Sequence, residues 1–376
     1  MIKDSIIDYK KDMKITEPCI IRGMPNEVYH STIGLSTSGL KMLLDCPAKY
    51  YYKYLSGEYE PKEKPCFKIG KACHTYILEG AESFEATYWH NPYKKLLKED
   101  ILNVLRDRCR LLFSPDLKFM PLSGRSRLFN YKRLMRYMSK MFDKYGKNKS
   151  IKDYNVSDLT PILFILDGTD TRGIELDSNE LNQVIGVGRA INNNKFAKNA
   201  FSQKGESELS LFWIDEATGL WLKCRPDFLP YDCKLVPDYK TCTSANPQTF
   251  YGDFIKFGYH FQAANYREGI YQVTKFLFGK GIEVESFFFI VQEKEAPYIT
   301  QPYLPDMNIV DYGQKGIRKA INIHQECIEK GFWDNYSDHI IEMSLSPKPD
   351  DLIGNFDVEN AIAYAPRWVD SELLKY

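Results

Sequence analysis

Nothing in this chain approaches the roughly 20 consecutive apolar residues that a membrane-crossing helix requires. The opening, MIKDSIIDYKKDMKI, lacks the apolar core of a secretory signal. There is no net charge either, because 50 Lys and Arg face 50 Asp and Glu, so no global field advertises a polyanionic partner. The nine cysteines are odd in number and scattered, with no CxxC pair. That pattern argues for reduced thiols in a cytoplasm and against a disulfide framework. Cys224, Cys233 and Cys242, each nine apart, lack zinc-site spacing and read as core thiols. Repeats and low-complexity tracts are also missing. What is present is 376 residues, enough for one large domain or two modest ones, with 26 Tyr and 22 Phe.

Residues 1–35 form a lead-in without clear periodicity. In STSGLKMLLDCPAKYYYKYLSG, Thr37 or Ser38 can cap a helix whose apolar side carries Leu40, Leu43 and Leu44, and Pro47 implies a break. GKACHTYILEG reads as a helix stopped by Gly80. Residues 94–152 hold 17 Lys or Arg against five Asp or Glu. Local positive charge interleaved with Phe, Tyr and Met is one footprint of nucleic-acid contact, and a solvated helical face is the plainer explanation. Beyond it, DSNELNQVIGVGRAINNNKFAKNAF is a helix with Asp177 or Ser178 as cap. Three strand-like runs follow, ESELSLFWID, LWLKCRPDFL and KLVPDYKTCT, the first two joined by the tight-turn signal EATG. Two helices, the apolar strand EVESFFFIVQEK and a helix over 308–330 complete a mixed α/β pattern.

The charged residues inside those strands need a reason. Asp238 and Lys240 are two apart and project to one side, with Tyr239 opposite. A hairpin through LPYDCKL can set Asp227 opposite Asp238, and Glu206 or Glu208 lies one strand away. Clustered carboxylates repel one another unless a cation neutralises them. A hard divalent ion such as Mg²⁺ takes two carboxylates and a substrate phosphate, and a neighbouring lysine can steady the attacking water or the developing charge. By itself a D-x-K on a strand is commonly an exposed ion pair.

The ordered motifs RPDF (225–228), DYKT (238–241) and GYHFQAANY (258–266) resemble those of the PD-(D/E)XK nuclease superfamily. The likeness is to its RecE-type (exodeoxyribonuclease VIII) branch of phage and prophage recombination exonucleases. The resemblance implies a restriction-endonuclease-like α/β core, a mixed central sheet flanked by helices. It spans 36–300, with a basic helical insertion at about 90–170 and a C-terminal helical extension over 301–376. It implies that Asp227 and Asp238 bind metal, that the Tyr239 carbonyl assists, and that Lys240 serves the attacking water. Gln262 and Tyr266, four apart on a helix, match the Q-x-x-x-Y signature beside the active site. The glutamate before S-x-F-W matches Glu208 better than Glu206, and His74 matches a further metal ligand. Relatives within the superfamily hold an iron–sulfur cluster through one early and three late cysteines. After Gln262 this chain has only Cys327, so no cluster is expected.

The activity implied is a Mg²⁺-dependent exonuclease, with Mn²⁺ as substitute, acting 5′ to 3′ on double-stranded DNA ends to leave tails for recombination. A ring of identical subunits and a single-strand annealing partner are implied by the same likeness. Arg225 together with Arg125, Arg127, Lys132, Arg133 and Arg136 is expected to contact phosphates. The competing reading keeps the fold but makes the protein a DNA-binding or assembly component with little turnover. A glycosidase using paired carboxylates would leave Lys240 and the Gln/Tyr helix without a role.

Overall fold

The computed structural model describes residues 2–60, 68–90 and 173–337. The basic segment 94–152, with Arg125, Arg127, Lys132, Arg133 and Arg136, lies outside them, as does the C-terminal stretch from 338 onward. Contacts divide the chain into two units, one of Met1–Gly80 with Gln183–Tyr376, the other Ala81–Asn182.

Strands β1 (Ile6–Asp8) and β2 (Cys19–Arg22) precede a short helix, α1 (Asn26–Ser31). Helix α2 (Thr37–Asp45) is capped by Ser36, whose hydroxyl accepts from the Gly39 amide at 3.3 Å. Thr37 and Ser38, the expected caps, already lie within the first turn. Pro47 sits in the first turn of α3 (Pro47–Tyr54), where a missing N–H costs least. Helix α4 (Lys68–His74) runs on into a π-helical turn, Thr75–Glu79. Gly80 breaks it at φ +89°, but α5 (Gly80–Thr87) resumes at once, so the expected stop is only a bend in helical chain. In the second unit, β3 (Tyr88–His90) pairs in parallel with β4 (Ile174–Leu176).

Helix α6 (Ser178–Asn193) opens on a capping box: Asp177 accepts from the Asn179 and Glu180 amides, and Glu180 accepts in return from the Asp177 amide. Asn194 then caps α7 (Lys195–Phe201), so one expected helix is two. The three strand-like runs are five strands: β5 (Gly205–Ser207), β6 (Ser210–Ile214), β7 (Trp221–Cys224), β8 (Phe228–Pro230) and β9 (Leu235–Cys242). Helices α8 (Pro247–Lys256) and α9 (Tyr259–Phe278), strands β10 (Ser286–Glu293) and β11 (Thr300–Tyr303), and helix α10 (Met307–Lys330) follow.

The architecture is mixed α/β. One sheet runs β1-β2-β6-β7, parallel between β1 and β2 and antiparallel beyond. A second runs β11-β10-β9, with β9 and β10 parallel, and β5 pairs with β8. Two expectations are corrected here. The hairpin between the Asp227 strand and β9 does not form, because β8 pairs with β5 while β9 takes β10 as its partner. Residues 1–35 are no separate lead-in: Cys19, Ile20 and Ile21 of β2 are buried, and the strand is paired along β6. Short strands separated by polar turns carry too few residues to show a period, which is why this one was not legible.

Helix α9 lies on the first sheet and under α10. Its close seat needs glycine: a Cβ on Gly269 would stand 2.6 Å from the Trp213 ring, and one on Gly313 of α10 would stand 2.4 Å from the His260 carbonyl oxygen. The expected C-terminal extension therefore begins as part of the core, since Val310, Ile317, Ala320 and Ile321 are buried in it. Among the described residues no helix is long and apolar enough to cross a membrane.

Candidate metal and active site

Asp238 is completely buried on β9, an unusual place for a carboxylate. Its Oδ1 accepts from Gln262 Nε2 of α9 at 2.7 Å, and its Oδ2 is paired with the Lys240 ammonium. Asp238 and Lys240 share one face of β9, as alternation dictates. That face is walled by aromatics: the ammonium lies 5.4 Å from the Tyr259 ring centroid and 5.8 Å from that of Phe289. Burial pushes the Asp238 carboxyl up to about 7, the Asp227 charge adds to this, and Lys240 opposes it. For Lys240, burial favours the neutral amine, but the Asp238 and Asp227 carboxylates outweigh it and hold the pKa above its ordinary value. Lys240 is an ammonium throughout the neutral range.

Asp227 precedes β8 and faces β9. Its Oδ2 accepts from the Tyr239 amide at 2.7 Å, and the Glu208 amide donates to its carbonyl oxygen at 3.2 Å. Side chain and backbone thus tie the Asp227 segment to β9 and to the Glu208 turn without a hairpin. Although burial alone would raise the Asp227 carboxyl, Lys240, His74 and the Tyr239 amide hold it below its usual range. The Tyr239 carbonyl oxygen lies 3.5 Å from Lys240 Nζ.

Glu208 sits between β5 and β6 with φ +58°, the left-handed region that a glutamate adopts at a cost. This break separates Glu206 from Glu208, which a continuous strand would set on one face. Glu206 turns to Arg22, with its Oε1 2.6 Å from Arg22 Nη2 and also 2.6 Å from the Tyr231 hydroxyl. Glu208 turns to the site, its Oε1 3.4 Å from His74 Nε2, which in turn is 3.3 Å from Asp227 Oδ1. Burial, with the Asp227 charge, raises the Glu208 carboxyl to about 7. Burial would lower the His74 imidazole, but Asp227 and Glu208 lift it to about 9. One ligand atom each from His74, Glu208 and Asp227 falls within 4.8 Å of the others. The trio suits a hard divalent cation, two carboxylates and an imidazole being a common oxygen-rich donor set. Asp238, also expected among the metal ligands, is not one of these three residues; its oxygens face Gln262 and Lys240.

Tyr266, one turn along α9 from Gln262, packs edge-on against Phe287 with ring centroids 5.7 Å apart. Burial first, then the Asp238 charge, pushes its phenol well above the ordinary value, so it remains a neutral donor.

Arg225 is a correction. Expected to contact phosphate, it is buried behind Glu208: Nε and Nη2 donate to Ser210 Oγ at 3.0 and 2.8 Å, and Nη2 also donates to the Met24 carbonyl at 3.1 Å. Its guanidinium lies over Tyr29, 4.1 Å from the centroid, and reaches Glu208 at 4.0 Å. We expect Arg225→Gln to lower unfolding free energy by about 1–3 kcal/mol in urea denaturation, the value of hydrogen bonds lost from a buried charged donor. Tyr29 and Met24 come from the stretch that showed no periodicity, so no signal marked them. The described cysteines Cys224, Cys233 and Cys242 are buried free thiols, as expected of core residues, and burial pushes Cys233 up to about 12.

A family model for a PDDEXK-like domain of unknown function (DUF3799) matches residues 140–344, more than half of the chain. Glu208, Asp227, Asp238, Lys240, Gln262 and Tyr266 lie inside the match, and His74 lies before it. No curated protein matches. Among solved structures, a "putative exonuclease" from Eubacterium rectale is similar at 12% identity and a TM-score of 0.46, covering 86% of this chain and 97% of that one.

Proposed function

The chain belongs to the family of PDDEXK-like domains, and from that premise we propose that it is a divalent-metal-dependent nuclease whose centre is His74, Glu208, Asp227, Asp238 and Lys240. One observation carries the reading: three metal-ligating atoms converge within 4.8 Å, beside a buried carboxylate–ammonium pair. His74, Glu208 and Asp227 would hold the ion, and a bound divalent cation supplies Lewis acidity toward a phosphoryl oxygen and a more acidic water. Lys240, fixed as an ammonium, donates to developing negative charge on the phosphate and does not act as a base. Gln262 and Asp238 set the position of that ammonium. Tyr266 supplies a neutral hydroxyl on the same helix face as Gln262.

Mg²⁺ as the ion, with Mn²⁺ as substitute, double-stranded DNA ends as substrate, 5′-to-3′ polarity and a role in recombination rest on the family likeness of the motifs. So do the oligomeric ring, the annealing partner and the phosphate-binding role of Arg125, Arg127, Lys132, Arg133 and Arg136. A blunt duplex labelled at each 5′ and 3′ end in turn is expected to lose 5′ label as mononucleotides in Mg²⁺ and to stay whole in EDTA. Internal cuts would replace the exonuclease reading with an endonuclease. An intact duplex in Mg²⁺ and Mn²⁺ would favour the DNA-binding component.

A further inference from the structure

His74, Glu208 and Asp227 come from three separate stretches of chain, and Ser207 adjoins all three. It directly precedes Glu208. On β5 it pairs with Phe228, the residue after Asp227. Its hydroxyl donates to the Leu78 carbonyl at 2.7 Å, and Leu78 belongs to the π-helical turn Thr75–Glu79 that follows His74. In that turn the Gly80 amide donates to the Thr75 carbonyl, five residues back. Single π turns of this kind are frequent at functional sites.

We propose that Ser207 is a positioning residue: its hydroxyl latches the π turn to β5 and so sets the His74 imidazole at ligating distance from Glu208 and Asp227. The inference rests on the nuclease reading, with these three residues as metal ligands, and concerns how tightly the ion is held.

The two carboxylates already move as a unit. Strand β5 lies tight on β8, where a Cβ on Gly205 would stand 2.5 Å from the Leu229 carbonyl oxygen, and the Glu208 amide donates to the Asp227 carbonyl. His74 arrives separately, on α4. Among the described residues its imidazole makes polar contact only with those two carboxylates. A ligating histidine ordinarily has its second ring nitrogen held by an outer partner. Here the backbone one turn along is held instead, and Ser207 holds it. Small displacements count, because ligand distances tolerate only about 0.2 Å. Without the hydroxyl the turn keeps an anchor in Tyr76, whose ring lies where a Cβ on Gly188 of α6 would stand 2.3 Å from it. Loss of the latch therefore loosens His74 and leaves the fold in place.

The test is calorimetric titration of Mn²⁺ into the full chain, without nucleic acid. Ser207→Ala is expected to weaken Mn²⁺ binding about ten-fold or more, the scale on which losing an outer partner of a metal ligand acts. Ser207→Thr and Ser207→Val share one shape, suit a strand and differ in the hydroxyl. Thr should restore wild-type affinity and Val should not. In a His74→Ala background, Ser207→Val should cost nothing further, because no imidazole remains to be placed. Equal affinity in the Thr and Val variants overturns the proposal. So does a loss on Ser207→Val that persists in full without His74, since the hydroxyl would then act through the carboxylates or the fold at large. Wild-type affinity in His74→Ala itself removes the trio as a metal centre, and the latch with it. That result is distinct from a failed latch, in which His74→Ala weakens binding and Ser207→Val does not. Cleavage of labelled duplex by the wild type tests the nuclease reading separately.

Discussion

On the proposed nuclease activity, Lys240→Met is expected to slow cleavage assayed in Mg²⁺ by about 10²–10³-fold, the loss associated with removing one preorganised donor to transition-state charge. The protein should remain folded. Methionine fills much of the lysine stem's volume against Tyr259 and Phe289. Asp238, whose pKa already lies at about 7, then loses the group that was lowering it. It takes up a proton and keeps its bond from Gln262, so no bare charge is left in the core. The converse, Asp238→Ala, strands the buried ammonium and should cost about 3–5 kcal/mol of stability. Calorimetric titration should find metal binding nearly unchanged in Lys240→Met, because His74, Glu208 and Asp227 are untouched. Cleavage at the wild-type rate in this variant would remove Lys240 from the chemistry.

Divalent metal should raise the melting temperature steeply with pH. Glu208 and Asp238 have folded pKa values of about 7, above their ordinary range. Each therefore contributes stability that is complete below the unfolded pKa and is lost as pH rises through about 7. His74, raised to about 9, likewise contributes below its unfolded value of 6.5 and loses that contribution as pH climbs through about 9. Asp227 is depressed, so its contribution is already complete well below pH 6 and does not change over the range of interest. The metal-free protein should accordingly be less stable at pH 9 than at pH 6. Metal acts in the opposite sense, since binding requires a neutral imidazole and ionised carboxylates and so strengthens as protons leave. With metal at about a hundred times its dissociation constant, the gain at pH 9 should be about 5 °C or more, falling toward zero at pH 6. Differential scanning fluorimetry with Mg²⁺ and Mn²⁺ checks this. A gain that is flat with pH would show that the His74, Glu208 and Asp227 trio is not where the ion binds.

Part of the candidate site's geometry was legible in the sequence. Asp238, Lys240 and Gln262 are joined by hydrogen bond and ion pair as their spacing suggested, because a strand period of two and a helix turn of four residues are local properties. Asp227 and Glu208 arrive beside them by routes the sequence did not show. One replaces a hairpin with a bond from the Tyr239 amide of β9 to the carboxylate, and the other uses a left-handed residue that interrupts a strand. Arg225 failed for a related reason: its charge suggested a surface role, and burial assigned it to holding Glu208.

The sequence by itself determined which residue types could handle a cation and a phosphate, and which helices and long strands would carry them, since local periodicity and capping depend on near neighbours. Only the tertiary structure turned Glu208 and not Glu206 toward His74 and Asp227, set Asp238 between Lys240 and Gln262, and drew β2 and Tyr29 of the first residues into the core. Those outcomes depend on pairing between strands far apart in the chain and on the exclusion of water from the carboxylates. Neither pairing nor dielectric is a property of any short stretch of residues.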